Sequence, residues 1–438
     1  MSKRILVITF YWPPAGGIAV LRWLQFCKYL PNHGWDPIVY TAKDAHYPML
    51  EEGLLEEVDH NKVTVLRNEI WEPYDLYKSF TGMKKEKKVQ DMLVSENKEK
   101  GWKEKFGLWV RANFFIPDAR KFWINSSVKY LENYIKDHPV DLIVSNGPPH
   151  SMHLIGRALK KKTGIPWVAD FRDPWTKIDY YHHLPLMNWA DRKHKRFEKA
   201  VLSEADLVTS HSWETSKDFK IIGKSKVKVI TNGFDDVDFP EDINFNNPYF
   251  EITHVGSINS DRNTPLLWKV LEELAAEDDQ FNEDLKIKLV GKIDISTKRT
   301  IANYEYKHKV EFLDFVPHLE ACQIMQNSTI LLLLLKKIPT IKAVIPGKIF
   351  EYLAAKRPIL CLGADDGDSA RIIKEVNAGV AINHGDKPTL RREIKNLYHS
   401  FKDGSLKGGE NFQQYSRKNL AKKYAALIDE VVANHQKN

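Results

Sequence analysis

Two proline doublets, each closing a strand-like run, lead into residues able to handle anions and hydroxyls. In FYWPPAGGIAVLR, Gly16 and Gly17 precede a helix-like segment and Arg22 lies one turn inside it. Glycine lets the backbone approach a ligand, and a helix N-terminus favours an anion, so this loop can meet a phosphate. It is equally a tight strand-to-helix turn whose entry Pro13 and Pro14 fix. There is no G-x-G-x-x-G, so a dinucleotide is not indicated. In SNGPPHS, Pro148 and Pro149 lead to His150. VADFRDPW then carries Asp170, Arg172, Asp173 and Trp175 at the end of the next strand-like run. Imidazole, guanidinium and carboxylates on one rim can orient a hydroxyl and neutralise a phosphate. The competing assignment is capping, with Asp173 closing a turn and His150 a helix.

Two later stretches repeat the pattern. HVGSINSDRNTPLLW ends a strand at Gly256-Ser257 and places Arg262 before a helix, where its guanidinium can fork onto a phosphate or stand in solvent. KAVIPGKIFEYLAAKRPIL runs through Pro346-Gly347 into a helix beginning near Lys348, with Glu351 in its first turn. Lys348 and that helix end can meet a phosphate, and a carboxylate there can accept two hydrogen bonds from a ribose diol. Glu351 as a simple complement to the helix dipole would contribute about 0.3–1 kcal/mol. DDGDSARII, Asp365 to Ile373, comes after the next strand and can line the same site.

These stretches must be held by something regular. Short Val/Ile/Leu runs such as RILVITF, VDLIVSN, PWVADF, FEITHVGS, LKIKLVG and STILLLLL alternate with helical segments from end to end, the signature of parallel sheets covered on both faces. The chain has 438 residues, more than one core usually serves. The alternation restarts after ITNGFDD, with a linker near residues 233–250. The expected architecture is α/β: two Rossmann-like, doubly wound domains at 1–235 and 245–415, then an amphipathic helix over 416–438 that packs back toward the first domain. Residues 70–125 fit the alternation poorly and predict a helical, basic and aromatic insertion.

The bulk numbers narrow the classes. A hydrophobic share of 43% marks a folding chain. A net charge of +7 suits anionic ligands without choosing among them. Three scattered cysteines, Cys27, Cys322 and Cys361, predict neither a disulfide framework nor a zinc site, and they suit a reducing cytoplasm. The longest apolar run, Thr329 to Leu335, is too short to span a bilayer. The KKEKK run is interrupted by acids, and nucleic acid is not an expected partner.

The ordered set FYWPPAGGIAVLR, SNGPPHS, DFRDPW, ITNGFD, HVGSI then Arg262, and PGKIFEYLAAKRPIL resembles bacterial retaining glycosyltransferases of family 4 over nearly the whole chain. The resemblance implies the GT-B fold, two Rossmann-like domains facing a cleft. The second would hold a nucleotide-sugar donor, UDP- or GDP-linked, and the first an acceptor. By position, Gly16, Gly17, Gly256, Arg262, Lys348 and Glu351 would bind the donor, with Arg262 on the diphosphate and Glu351 on the ribose. Asp173, His150 and Arg172 would serve catalysis, and Arg22, Asp170 and Trp175 the acceptor. The chain departs from the family pattern in three places. Ala343 stands where E-x7-E has its first glutamate, and an arginine or aspartate, 172 or 173, replaces an acceptor-side histidine. The lysine that often comes after the diphosphate arginine has only Lys269 as nearest candidate, with Lys348 as a substitute.

The expected reaction moves a sugar to an acceptor hydroxyl of a glycan or lipid-linked glycan, with retention and with no metal or resident cofactor. Lysines with Trp102, Phe106, Trp109, Phe114 and Phe115 suit an anionic membrane face or a lid over the acceptor. The alternative built on Ala343 is a nucleotide-binding scaffold without turnover.

Overall fold

The computed structural model of the chain describes residues 2–60, 63–71, 102–239 and 247–437. It divides into two compact units, Met1–Thr231 with Leu420–Asn438, and Asn232–Asn419.

The first unit is built on seven parallel strands: β1 (Lys3–Ile8), β2 (Trp35–Lys43), β3 (Thr64–Glu69), β4 (Leu142–Gly147), β5 (Trp167–Phe171), β6 (Leu207–Ser210) and β7 (Val227–Val229), in the order β3-β2-β1-β4-β5-β6-β7. Successive residues of these strands feed opposite cores, as a period of two requires. Ile5, Val7, Val39 and Val144 pack with Trp23 and Phe26 on one face. Leu6, Ile8, Tyr40 and Ile143 pack with Trp123 and Trp167 on the other. A strand buried on both faces has no polar side to show, which is why ILVI, Ile5 to Ile8, reads as an unbroken apolar run.

The C-terminal helix, Arg417–His435, sends Leu420, Ala421, Tyr424 and Ile428 into the first of those cores. Tyr424 stacks on Phe26 at 4.9 Å and meets Trp23 edge-on at 5.5 Å. Such aromatic pairs add about 0.5–1.5 kcal/mol beyond their burial.

The second unit repeats the plan with β8 (Phe250–Val255), β9 (Leu285–Val290), β10 (Val310–Leu313), β11 (Ile330–Leu334), β12 (Ile359–Leu362) and β13 (Gly379–Ile382), in the order β10-β9-β8-β11-β12-β13. Both sheets are doubly wound. Their order reverses beside β1 and beside β8, and ligands in open α/β sheets bind outside the carboxyl ends of the strands at such switch points.

In the region predicted as an insertion, residues 72–101 lie outside the described residues, and with them most of the lysine-rich run. The rest of the region forms a helix, Trp102–Phe114, and a 3-10 turn, Ala119–Phe122, which leads into the helix Trp123–Asp137. Asn113 anchors the first of these: its amide donates to the Trp109 and Pro185 carbonyls and accepts from the Met187 N–H.

Candidate functional site

At the switch point of the second unit, β8 runs into Gly256 at φ +119°, a conformation open to glycine and strained for other residues. A Cβ at this position would lie 1.9 Å from Lys348 Nζ, so the lysine ammonium fills the space glycine leaves. Gly291, at the end of β9 with φ +109°, packs its own bare face on the Gly256 backbone. Lys348 opens the helix Lys348–Ala354 directly after Pro346-Gly347. Burial, and then the Arg262 charge, pull its pKa from the usual 10.5 down to about 8, against the upward pull of Glu351 one turn along.

Arg262 sits on the 3-10 turn Ser260–Arg262. Its Nη1 donates to the Ser257 carbonyl at 3.1 Å, and its Nε is buried with no partner among the described residues. Two cations near one another, one of them with an unspent buried donor, can receive an anion. Lys269, the other candidate for the second cation, lies exposed on the helix Pro265–Glu277 beside Glu273. Lys348, not Lys269, is the lysine that lies near Arg262. Ala343 ends the turn Ile341–Ala343, and the acidic stretch beyond β12 packs on the same loop: Lys342 pairs with Asp366, and the Ser369 hydroxyl donates to the Val344 carbonyl at 2.7 Å.

At the corresponding rim of the first unit the charges are spent on one another. The Asp170 carboxylate accepts from Arg22 Nε at 3.0 Å, Arg22 Nη2 at 2.9 Å, Trp23 Nε1 at 2.9 Å and the Thr209 hydroxyl at 2.6 Å. The Arg22 and Asp170 side chains are 2% and 0% exposed. Burial pushes the Asp170 pKa up, but the Arg22 charge and these hydrogen bonds outweigh it and hold it below the ordinary value. Both side chains are engaged inside the unit, and the pair ties the helix Ile18–Tyr29 to β5 and β6. Trp175 is likewise buried, stacked on His150 at 4.5 Å, its indole N–H donating to His194 Nδ1 at 3.0 Å. Arg22, Asp170 and Trp175, expected to contact the acceptor, are thus buried and bonded within the first unit.

The glycine loop is also occupied. The Gly16 N–H donates to the Met49 carbonyl at 3.0 Å, and the Gly17 N–H faces the Glu51 carboxylate at 3.5 Å. A carboxylate of the chain itself stands where a phosphate was expected. His150 is buried beside Trp175. Burial, and then its imidazole and arginine neighbours, push its pKa well below the usual value, so the ring is neutral. Arg172 and Asp173 are the open members of the set, paired at 3.2 Å with 17% and 37% of their side chains exposed.

Several groups at these rims were not anticipated. His211 comes directly after β6. Burial brings its pKa down to about 4, against the Asp173 carboxylate that pulls it up. Tyr180 is pushed up to about 12 by burial and by Asp173. Asp118 caps the helix Ser151–Thr163 by accepting from the Ser151 N–H and hydroxyl. His211 obeys the strand-end rule applied to Asp173, so SHSW after ADLVT could have exposed it. Among the described residues no group of three or more His, Cys, Asp or Glu is placed to hold a metal ion.

Two family models match this chain: Glycosyltransferase Family 4 over residues 92–237 and Glycosyl transferases group 1 over residues 250–400. No curated protein matches it. Among solved structures, the N-terminal domain of a Candida albicans trehalose-6-phosphate phosphatase is 12% identical with a TM-score of 0.62, over 99% of this chain and 97% of that one. An E. coli trehalose-6-phosphate structure bound with UDP-2-fluoro glucose is 11% identical with a TM-score of 0.58, over 98% and 99%. Sucrose-phosphate synthase from Thermosynechococcus elongatus is 13% identical with a TM-score of 0.54, over 99% and 98%. At such identities the likeness is one of fold.

Proposed function

The chain belongs to the glycosyltransferases of the family 4 type, with the GT-B fold, and from that membership we propose that it moves a hexosyl group from a nucleoside-diphosphate sugar to an acceptor hydroxyl. UDP is the favoured carrier, since the E. coli structure of the same fold is bound with a UDP-sugar analogue. One observation carries the assignment: Lys348 and Arg262 lie together beside the bare backbone of Gly256, with Glu351 one turn along. The leaving diphosphate gains negative charge as the glycosidic bond breaks. Cations fixed in place before the reaction stabilise that charge without reorganising. Glu351 suits the ribose hydroxyls. The two cations can do this work without a metal ion. Retention of configuration results if the departing phosphate itself takes the acceptor's proton, a route that needs no strong protein base. The neutral His150, spent on stacking against Trp175, fits that route, and Asp173 with Arg172 is left to orient the acceptor.

The test is nucleotide binding read by thermal unfolding, with UDP, GDP, ADP, CMP and dTDP, each with and without EDTA. A ligand at a hundred times its Kd raises stability by about 2.7 kcal/mol. A diphosphate that stabilises the protein regardless of EDTA, and fails to do so in Arg262→Ala and Glu351→Ala, is the expected result. No stabilisation by any of them would favour a scaffold that has lost its donor, with Ala343 as the trace.

A lipid-linked acceptor is favoured by one surface feature. On the helix Trp102–Phe114, Trp102 is 70% exposed and Phe114 50%, with Lys103 and Lys105 exposed among them. Aromatic rings with lysines suit an anionic bilayer surface, where each cation contributes about 1 kcal/mol. No helix of the described residues is long and apolar enough to cross a membrane. Co-sedimentation with phosphatidylglycerol vesicles but not phosphatidylcholine vesicles, lost in Trp102→Ala/Phe106→Ala, is expected; equal recovery with both would remove the membrane from the proposal.

A further inference from the structure

We infer that His254 is a positioning residue for the departing diphosphate, a neutral hydrogen-bond acceptor that holds the Lys348 ammonium over Gly256. The inference rests on the donor-site assignment above and adds a residue to it. His254 is the next-to-last residue of β8 and only 1% exposed. Its Nδ1 lies 2.9 Å from the Leu332 carbonyl of β11. A carbonyl only accepts, so Nδ1 carries the ring proton and Nε2 presents a lone pair. Nε2 lies 3.5 Å from Lys348 Nζ, the long limit of a hydrogen bond, and in this tautomer it can accept from the ammonium. The Leu332 carbonyl also accepts from the Tyr352 hydroxyl at 3.3 Å, and the Tyr352 oxygen accepts the Val255 N–H at 3.1 Å. Two strands and the Lys348 helix thus fix the ring's position and its tautomer.

The ring stays neutral. Burial, then the Lys348 ammonium and Arg262, lower its pKa well below the usual value, against the Leu332 and Ser257 carbonyls. Neutrality is the useful property. A carboxylate at this place would hold the lysine equally well but would cancel the charge that a phosphate needs. A leucine would pack as well but would leave a flexible four-carbon chain unguided. An imidazole restrains the ammonium, leaves its charge intact, and leaves its other two protons for the ligand.

The experiment is calorimetric binding of UDP and GDP to the wild type, His254→Asn, His254→Gln, Lys348→Met and the His254→Asn/Lys348→Met double variant. Asparagine keeps a donor for Leu332 and loses the acceptor for Lys348; the longer glutamine carries an acceptor toward Lys348. We expect His254→Asn to weaken diphosphate binding about tenfold, His254→Gln to lie within about twofold of the wild type, and the asparagine change to cost less than twofold once Lys348 is methionine. Equal losses in the two His254 single variants, an undiminished loss in the methionine background, or wild-type affinity in His254→Asn would overturn the inference and leave the donor site standing. A wild type that binds neither nucleotide would remove the donor site and this inference with it. Should His254→Asn not fold, nitrogen-15 NMR of the wild type decides. An unprotonated Nε2 at pH 7 is required, and a protonated Nε2 sinks the idea.

Discussion

The two sheets share a strand order and a switch point, yet their rims treat charge in opposite ways. In the first unit, Arg22 is locked onto Asp170, and the amides of the glycine loop are taken by Met49 and Glu51. In the second, Lys348 and Arg262 are set side by side, and desolvation lowers the lysine pKa to about 8. A buried pair whose charges cancel holds the structure. Two like charges held together cost stability until an anion arrives. The same topology therefore carries a charge-cancelling brace in one unit and, on the proposed function, an anion receptor in the other, and the difference lies in a handful of side chains beyond the strands.

The largest effect is expected at the brace. Asp170→Ala leaves the Arg22 guanidinium buried and stripped of its carboxylate, along with the Trp23 and Thr209 donors. Removing one partner of a buried pair costs about 3–5 kcal/mol. Differential calorimetry is expected to show the first unit melting far earlier. A loss below about 1 kcal/mol, the range of exposed ion pairs, would mean that water reaches the site and that the pair is no brace. Acid probes it too. The folded Asp170 pKa is depressed, so its contribution is present above the ordinary carboxylate range and is lost as pH falls through the folded value.

At the receptor, Gly256→Ala is the harshest change. A Cβ there overlaps Lys348 Nζ and demands φ +119° of an alanine. Backbone strain of this kind costs about 1–3 kcal/mol. UDP titration is expected to show binding lost as well, because the lysine must move. A variant that keeps wild-type affinity would show that the ammonium does not need that space.

Lys348→Met separates the two roles by sign. The unliganded protein is expected to gain stability or hold it, while UDP affinity falls about tenfold or more, the effect of losing a charge-assisted hydrogen bond. pH gives the same contrast without mutation. The Lys348 pKa is lowered in the folded state, so between about 8 and 10.5 the unfolded chain holds a proton that the folded one has released. Unliganded stability from this group therefore rises with pH across that window. Affinity for UDP falls across the same window as the ammonium disappears, with Arg262, Glu351 and neutral His254 the groups facing it. Parallel movement of the two quantities would contradict the receptor assignment.

Features that depend on local pattern were legible in the chain, and features that depend on distant partners were not. Strands buried on both faces announce themselves, since ILVI and ILLLL have no polar side to confuse the period. β3 did not, because Thr64–Glu69 is an edge strand whose residues are half-buried and mixed. Loop positions were legible as positions: Gly256 and Asp173 lie just beyond strands, Arg262 on the turn after β8 and Lys348 at a helix start. What each charge does there was hidden, because it depends on residues far away in sequence. Arg22 and Asp170 are 148 residues apart, and nothing local to either distinguishes a brace from a binding group. Glu51 over Gly17 and His254 beside Lys348 were invisible for the same reason.

Glu51 is exposed, and its carboxylate approaches the Gly17 N–H at 3.5 Å, the long limit of a hydrogen bond. Glu51→Gln should change stability by no more than about 0.5 kcal/mol, as surface substitutions usually do. If the glycine loop is only a filled turn, UDP affinity in this variant equals that of the wild type. If the loop instead meets the donor's phosphates, Glu51 is an anion standing in their place. Removing its charge would then tighten UDP binding, more at low salt than at high. An isothermal titration at two salt concentrations separates the cases. A salt-sensitive gain would mean that Gly16 and Gly17 belong to the receptor after all, and that the first rim is a brace at Arg22 and Asp170 alone.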